Sequence, residues 1–224
     1  IGRKCVIDSD CSTNVCTDKV CENPCNDNVQ NFDETGIDCG GTCGVCQTPV
    51  INEIDYLQPG IDDEEFVELL NTTAKPISLA GLHLRFVDGP TQLSVGSINL
   101  GPAGILQPGQ YLVVRAPGLT VAPGALTIDF QNQTDNLLDG HAGVAIVDTV
   151  HETIGDALCY GGAIDNVDFG FGIFSLVEGT ATALVDVDDN NASLVRFPNG
   201  VDTNNAESDW NISNQLTPGG ANVL

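Results

Sequence analysis

Acidic and amide side chains at short spacings are the residues of this sequence best suited to chemistry, and calcium binding is the chemistry they suggest. Calcium takes six to eight oxygen ligands from carboxylates, amides and backbone carbonyls held on a tight turn. Three stretches offer such ligands: Asp27, Asn31, Asp33, Glu34 and Asp38 in the first, Asp186, Asp188 and Asn190 in the second, and Asp62 and Asp63 in the third. We predict calcium sites there. The alternative is that these side chains cap turns or face solvent.

The three stretches differ in how closely they resemble calcium loops. The first carries glycines and is flanked by cysteines, which would supply rigidity. DVDDNN (186–191) places oxygen ligands at alternate positions, but it lacks the glycine at the sixth position and the glutamate at the twelfth. GIDDEE (60–65) clusters four acids, which require either a cation or solvent. The first stretch is therefore the leading prediction.

The residues needed for enzymatic catalysis are poorly represented. His83, His141 and His151 are scattered, and the sequence has neither a Gly-x-Ser-x-Gly elbow nor a Cys/His arrangement. A pair of carboxylates could act as in a glycosidase, but Trp210 is the single tryptophan available to line a sugar cleft. Cys159 lies in an apolar run and is interpreted as a small buried side chain. We predict that the protein is not an enzyme.

Eight of the nine cysteines lie within the first 47 residues: Cys5, Cys11, Cys16, Cys21, Cys25, Cys39, Cys43 and Cys46. Cys43-x-x-Cys46 has zinc-ligand spacing, but this region has no histidine and no second Cys-x-x-Cys. A module with so few large apolar residues needs covalent support, so we predict four disulfides whose connectivity the sequence leaves open. Disulfides indicate an extracellular or cell-surface protein. Because the sequence begins at Ile1 and contains no methionine, we expect a removed secretion signal.

The charge balance narrows the classes of partner. The formal net charge is −24, from 31 acidic and 7 basic side chains. Such a charge repels nucleic acid and anionic lipid and is compatible with binding divalent cations. No apolar run approaches the length needed to span a membrane. We therefore expect neither a nucleic-acid partner nor a membrane span.

After Cys46 the sequence changes to short apolar runs separated by Gly, Pro, Asn and Asp, which is the rhythm of strands and turns. The runs are VINEID (50–55), EFVELLN (65–71), LHLRFVD (82–88), QYLVVRA (110–116), LTIDF (126–130), GVAIVD (143–148), ALCYGG (157–162), TALVDVD (182–188) and SLVRF (193–197). No long segment has helical periodicity. We predict a mainly β protein with a disulfide-rich module at 1–47 and a β-sandwich or barrel at 48–224.

EFVELL is apolar on both faces, so it should be a central strand in which a glutamate is buried. Glu68 is accordingly interpreted as a structural acid rather than a catalytic one. We expect the core to include Phe66, Val67, Leu69, Leu84, Phe86, Val113, Ile146 and Trp210.

Residues 50–84, VINEIDYLQPGIDDEEFVELLNTTAKPISLAGLHL, resemble the opening of the lamin-tail domain, especially its bacterial extracellular versions. The similarity continues through LQPGQYLVV (106–114) and GVAIVD (143–148), and it ends in RFPNGVDTNNAESDW and LTPGGAN. The resemblance implies an immunoglobulin-like β-sandwich used for interaction and architecture, with no catalytic residues to carry over. DNVQNFDETGIDCGG, near the N-terminus, is similar to the cysteine-rich modules of bacterial surface proteins.

The expected function is that of a non-enzymatic extracellular structural protein, a subunit of a homopolymeric fibre or surface assembly. This expectation rests on the missing catalytic constellation and on two unlike domains joined by a short linker around Pro49. The alternative is a calcium-dependent adhesin, a module that binds carbohydrate or protein. The expected partner is a second copy of the chain, with other surface proteins or polysaccharide as further candidates.

Overall fold

The computed structural model describes residues 6–11, 16–21, 47–186 and 191–224. The chain divides into two compact units, Ile1–Gln47 and Thr48–Leu224. In the first unit, a 3₁₀ turn at Asp8–Asp10 precedes a two-stranded antiparallel hairpin of β1 (Cys16–Thr17) and β2 (Val20–Cys21). Two residues with positive φ, Asp18 and Lys19, form the tight turn between these strands.

Within this unit Cys11 is buried against Cys16, and both are disulfide-bonded. Cys5, Cys25, Cys39, Cys43 and Cys46 lie outside the described residues, so the full set of four disulfides stays a prediction.

The second unit contains a six-stranded sheet with the order β10-β9-β4-β3-β15-β16. Its strands are β3 (Val50–Asp55), β4 (Phe66–Leu70), β9 (Tyr111–Arg115), β10 (Leu126–Asp129), β15 (Ser193–Arg196) and β16 (Trp210–Ser213). All neighbours are antiparallel except β10 and β9, which are parallel. EFVELL is an inner strand, as its two apolar faces predicted.

A four-stranded antiparallel sheet has the order β12-β11-β6-β7. Its strands are β6 (Leu82–Asp88), β7 (Leu93–Asn99), β11 (Ala142–Asp148) and β12 (Thr153–Tyr160). The remaining elements are short: β5 (Ile77–Ser78) paired with β8 (Ile105–Leu106), β13 (Val167–Asp168) paired with β14 (Ile173–Phe174), a 3₁₀ turn at Gly101–Ala103, and α1 (Ala206–Asp209).

The main core contains side chains from both sheets, including the stacked rings of Tyr56 and Tyr160, whose centroids are 4.2 Å apart. All eight predicted core residues are buried, which confirms that prediction. Fully burying one large apolar side chain contributes about 1.5–3 kcal/mol to folding, so this shared core is the main source of stability.

A second core covers the other face of the four-stranded sheet. There Val87, Val147 and Cys159 pack against Phe169 and Leu176 of the segment that follows β12. Cys159 is a free, buried thiol whose Sγ lies 3.8 Å from the Leu176 carbonyl oxygen. Its interpretation as a small buried side chain is confirmed.

One strand prediction was wrong, and one strand was not predicted. Residues 182–186 of TALVDVD are not a strand; the Asp186 N–H donates to the Tyr56 hydroxyl, and Leu184 packs against the main core. Conversely, Leu93–Asn99 is a strand although serine, glycine and asparagine make up four of its seven residues. In both segments tertiary contacts override the local apolar pattern.

Candidate functional site

Arg196, the last residue of β15, is fully buried and is the centre of an ion-pair network. Its Nε donates to the Ile51 carbonyl oxygen at 2.9 Å. Nη1 donates to Asp202 at 3.0 Å and to Asp209 at 3.3 Å, and Nη2 lies 3.2 Å from both carboxylate oxygens of Asp156. The planar guanidinium thus joins strands and loops that are distant in sequence.

Three acids beside Arg196 come close enough together to be considered as metal ligands. Carboxylate oxygens of Asp156, Glu178 and Asp202 lie within 4.8 Å of one another. Burial raises the pKa of Glu178 to about 9, and the neighbouring Asp156 charge adds to that effect. A proton on Glu178 would also account for its buried Oε2, which accepts no hydrogen bond from the described residues. With the guanidinium already 3.2 Å from Asp156, the cluster suits one arginine and one shared proton better than a second cation.

Two further buried acids, Glu53 and Glu68, lie on adjacent strands of the six-stranded sheet. Burial raises the pKa of Glu68 to about 8, and it also raises the pKa of Glu53. The Glu53 carboxylate accepts hydrogen bonds from the hydroxyls of Ser193 (2.6 Å) and Thr217 (2.7 Å). The Glu68 carboxylate accepts hydrogen bonds from the Asn52 side chain (2.7 Å) and the Gly219 N–H (2.6 Å). Glu68 is therefore a structural acid whose partners are neutral donors rather than a cation.

The segment 217–222 is hydrogen-bonded to the strands that carry Glu53 and Glu68. Besides the Thr217 and Gly219 contacts, Asn222 Nδ2 donates to the carbonyl oxygens of Asn52 at 2.8 Å and Arg196 at 2.9 Å. The LTPGGAN motif is thus a structural clamp between β3, β4 and β15.

Of the predicted calcium ligands, Asp62, Asp63 and Asp186 lie in the described part of the chain. The carboxylate of Asp62 accepts the Gln58 N–H at 2.6 Å, while Asp63 is exposed. Glu65 turns inward and accepts the backbone N–H groups of Asn136 and Leu137 at 2.6 and 2.8 Å. In this acidic loop Glu65 is therefore buried, whereas Asp63 and Glu64 face solvent. Its calcium site stays a prediction.

Asp186 is buried close to a second acid that the sequence did not identify, Asp55. Asp55 is fully buried; its Oδ1 accepts Gln58 Nε2 at 2.7 Å, while its Oδ2 has no hydrogen-bond partner within the described chain. Burial raises the pKa of Asp55 to about 8, and the Asp186 charge adds to the rise. A buried pair of this kind can hold a proton or a cation.

The other proposed calcium ligands lie outside the described residues: Asp27, Asn31, Asp33, Glu34, Asp38, Asp188 and Asn190.

The histidines do not form a catalytic arrangement within the described residues. His141 Nε2 lies 3.2 Å from the Ala163 carbonyl oxygen, and His151 Nδ1 lies 2.5 Å from Asp148. His83 Nδ1 lies 3.1 Å from Ser97 Oγ, but burial and the nearby Arg85 charge lower the pKa of this histidine. Among the described residues no acid pairs with the His83 ring, so a Ser–His–acid triad is not formed there.

One segment of the second unit contains no charged side chain, although the neighbouring strand β6 carries Arg85 and Asp88. Residues 89–114 contain no acidic, basic or histidine side chain, in a chain whose net charge is −24. We call this segment the charge-free flank. It includes β7, the outermost strand of the four-stranded sheet, and among the described strands none pairs with its outer edge. Leu93, Val95 and Ile105 are 61%, 56% and 40% exposed.

The sequence analysis missed the charge-free flank, although the run without charge is visible in the sequence. The exposure of its apolar residues required the structure, because alternation in LSVGSIN does not tell which face is covered.

None of the helices in the described ranges has the length and apolar character required to cross a membrane. A search of curated proteins found no match to this chain. A family model described as Lamin Tail Domain matches residues 46–199, which is most of the second unit. The buried acids Glu53, Asp55, Glu68 and Asp156 and all strands of the two sheets except β16 lie within that match, and the clamped segment 217–222 follows it. The chain therefore belongs to the lamin tail domain family.

Proposed function

We propose that the protein is a non-enzymatic extracellular structural protein whose copies associate into a fibre or surface assembly. The observation that carries this proposal is the charge-free flank. Two copies with a net charge of −24 repel each other wherever acids face acids within a Debye length, about 8 Å at physiological ionic strength. A segment that brings no acid of its own to the contact reduces this repulsion.

The exposed groups of the flank suit a protein contact. Leu93 and Val95 present apolar surface that a partner can bury, and the free edge of β7 offers backbone donors and acceptors. The register between β6 and β7 shifts so that Phe86 pairs with Gly96 and Val87 with Ser94, leaving Val95 on a bulge. The bulge interrupts a continuous added strand, so side chains would provide much of the contact.

The extracellular part of the proposal is supported by the cysteine density of the first unit, since disulfides persist outside the reducing cytosol. Lamin tail domains are non-catalytic immunoglobulin-like modules, which is consistent with a structural role. Other surface proteins or polysaccharides are further proposed partners, and calcium is the proposed cofactor, screening or bridging the acids outside the contact.

A matched pair of charge insertions tests the proposal. Val95→Glu adds an acid to the charge-free flank, and Val150→Glu adds the same acid at a similarly exposed valine (59%) outside it. Sedimentation and negative-stain imaging over a range of protein concentration and salt should show assembly of the wild type and V150E, and its loss in V95E. Assembly would be refuted by a wild type that stays monomeric under every condition.

A calcium-dependent adhesin is the second candidate, and the buried Asp55–Asp186 pair favours it. A cation at this pair would link calcium binding to the stability of the second unit, and the sequence places further acidic and amide side chains at 187–190. A monomer that binds immobilised polysaccharide or a surface protein with calcium, and loses that binding with chelator, would favour this function over the first.

A further inference from the structure

Arg85 lies in the middle of β6, beside the charge-free flank. Its neighbours Leu84 and Phe86 face the main core, so the Arg85 side chain points to the opposite face of the sheet. There its guanidinium carbon lies 5.7 Å from the centroid of the Phe169 ring. Arg85 pairs across strands with Ser97 of β7.

The guanidinium of Arg85 has no acidic partner in the described parts of the chain. Its Nε is buried and makes no hydrogen bond to any described residue. In contrast, Arg115 pairs with Asp129 at 2.9 Å, and Arg196 lies among several acids. Arg85 as a whole is half-buried, and in a chain with 31 acids a guanidinium that no described carboxylate pairs with points to a partner outside the molecule.

The surroundings of Arg85 select the kind of partner. A guanidinium presents a planar set of donors that matches a carboxylate through two parallel hydrogen bonds. The Phe169 ring lies beside that plane, and Ser97 offers a hydroxyl from the neighbouring strand. Burial and Arg85 itself lower the pKa of His83, so Arg85 is the charged group that a ligand would meet at neutral pH. The site is therefore suited to one carboxylate.

We infer that Arg85 binds an aspartate or glutamate of a second copy of this chain when copies associate through the charge-free flank. This inference rests on the proposed self-association. Charge complementarity favours a second copy, because each copy carries many acids and the flank itself offers none to Arg85. Excluding water from such a contact would strengthen the ion pair, and the pair would fix the register of the contact.

The test compares three variants with the wild type by sedimentation equilibrium. Arg85→Gln removes the charge, Arg85→Lys keeps the charge but loses the planar fork, and Lys75→Gln removes one charge at an exposed position outside the flank. We expect the self-association constant to fall at least tenfold in R85Q, by a smaller factor in R85K, and by less than threefold in K75Q. Near-ultraviolet circular dichroism of the monomers checks that each variant is folded.

A second measurement reports on the guanidinium directly. In the wild type, the Arg85 Nε–H resonance should shift as the protein concentration is raised through the assembly range, and R85K identifies that resonance by its disappearance. R85Q that assembles as tightly as the wild type would overturn the role of Arg85 and leave the proposed assembly intact. A wild type that is monomeric throughout would overturn both. A resonance that shifts only with added polyuronate would assign the site to an anionic polysaccharide and refute the second copy.

Discussion

Replacing Arg196 with methionine should destabilise the second unit by about 3–5 kcal/mol at neutral pH, because removing one member of a buried ion pair leaves the other charge without compensation. Methionine keeps the length of the side chain and removes its charge and donors. The structure supplies the reason for a large effect: Asp156 and Asp209 lose their cation, and the Ile51 carbonyl loses a 2.9 Å hydrogen bond.

The loss of stability caused by Arg196→Met should depend on pH in a defined direction. Without Arg196, the buried acids can remain neutral by taking up protons, so the difference in unfolding free energy between variant and wild type should be smaller at pH 5 than at pH 7. The wild type itself gains stability on the acid side from Glu178. The pKa of Glu178 is raised to about 9, so its contribution is complete below the unfolded value of 4.5 and is lost as pH rises through 9.

Urea unfolding at pH 5 and pH 7 measures both effects. The single tryptophan, Trp210, lies in the second unit with its ring 5.0 Å from the Arg196 guanidinium, so its fluorescence reports on this unit. Far-ultraviolet circular dichroism should give the same midpoint. The matched control is Arg115→Met, which breaks the Arg115–Asp129 pair, whose side chains are 21% and 51% exposed, and should cost at most about 1 kcal/mol. A loss below 1 kcal/mol in R196M at pH 7, or a larger loss at pH 5 than at pH 7, would refute the argument.

Three further predictions concern other buried groups. Burial raises the pKa of Glu68 from 4.5 and of Asp55 from 3.8 to about 8, so unfolding free energy measured by urea should fall as pH rises from 5 to 9; in Glu68→Gln this fall should be smaller, and an unchanged slope would contradict the assignment. Cys159 is buried and burial raises the pKa of its thiol, so a thiol reagent should label it after unfolding and leave it untouched in the folded protein. Calcium bound at the proposed Asp55–Asp186 site, at a hundredfold excess over the Kd of that site, should stabilise the second unit by about 2.7 kcal/mol, and Asp55→Asn with Asp186→Asn should remove that shift in the thermal midpoint of the second unit. A midpoint of the second unit that is equal with calcium and with chelator would count against the site.

Much of the second unit could be predicted from local sequence. VINEID and EFVELL are strands because β-branched and large apolar residues alternate between turn residues, and two apolar faces correctly placed EFVELL inside a sheet. TALVDVD shares that composition but is not a strand over its described residues, because Asp186 and Leu184 are engaged by Tyr56 and the core.

The site was less predictable because its contacts join distant residues. Asp55 lies at the end of an ordinary strand, and its neighbour Asp186 is far along the chain. Arg196 and Asp156 lie on different sheets and are likewise brought together by tertiary packing rather than by a sequence motif. That no acid of the described ranges pairs with Arg85 depends on where those acids lie in three dimensions, which a linear pattern does not contain.

The clamp of residues 217–222 would have a mechanical consequence in the proposed fibre. The first strand of the second unit is β3. The C-terminal segment is hydrogen-bonded to this strand, because Asn222 donates to the Asn52 carbonyl oxygen and Thr217 donates to Glu53. Tension applied to the two ends of this unit would therefore load these few bonds before it reached the core between the sheets. Their rupture would release on the order of 25 Å of extended chain from residues 217–224 while the sandwich stayed folded. The clamp would act as a short extensible link that yields first and protects the core from sudden force.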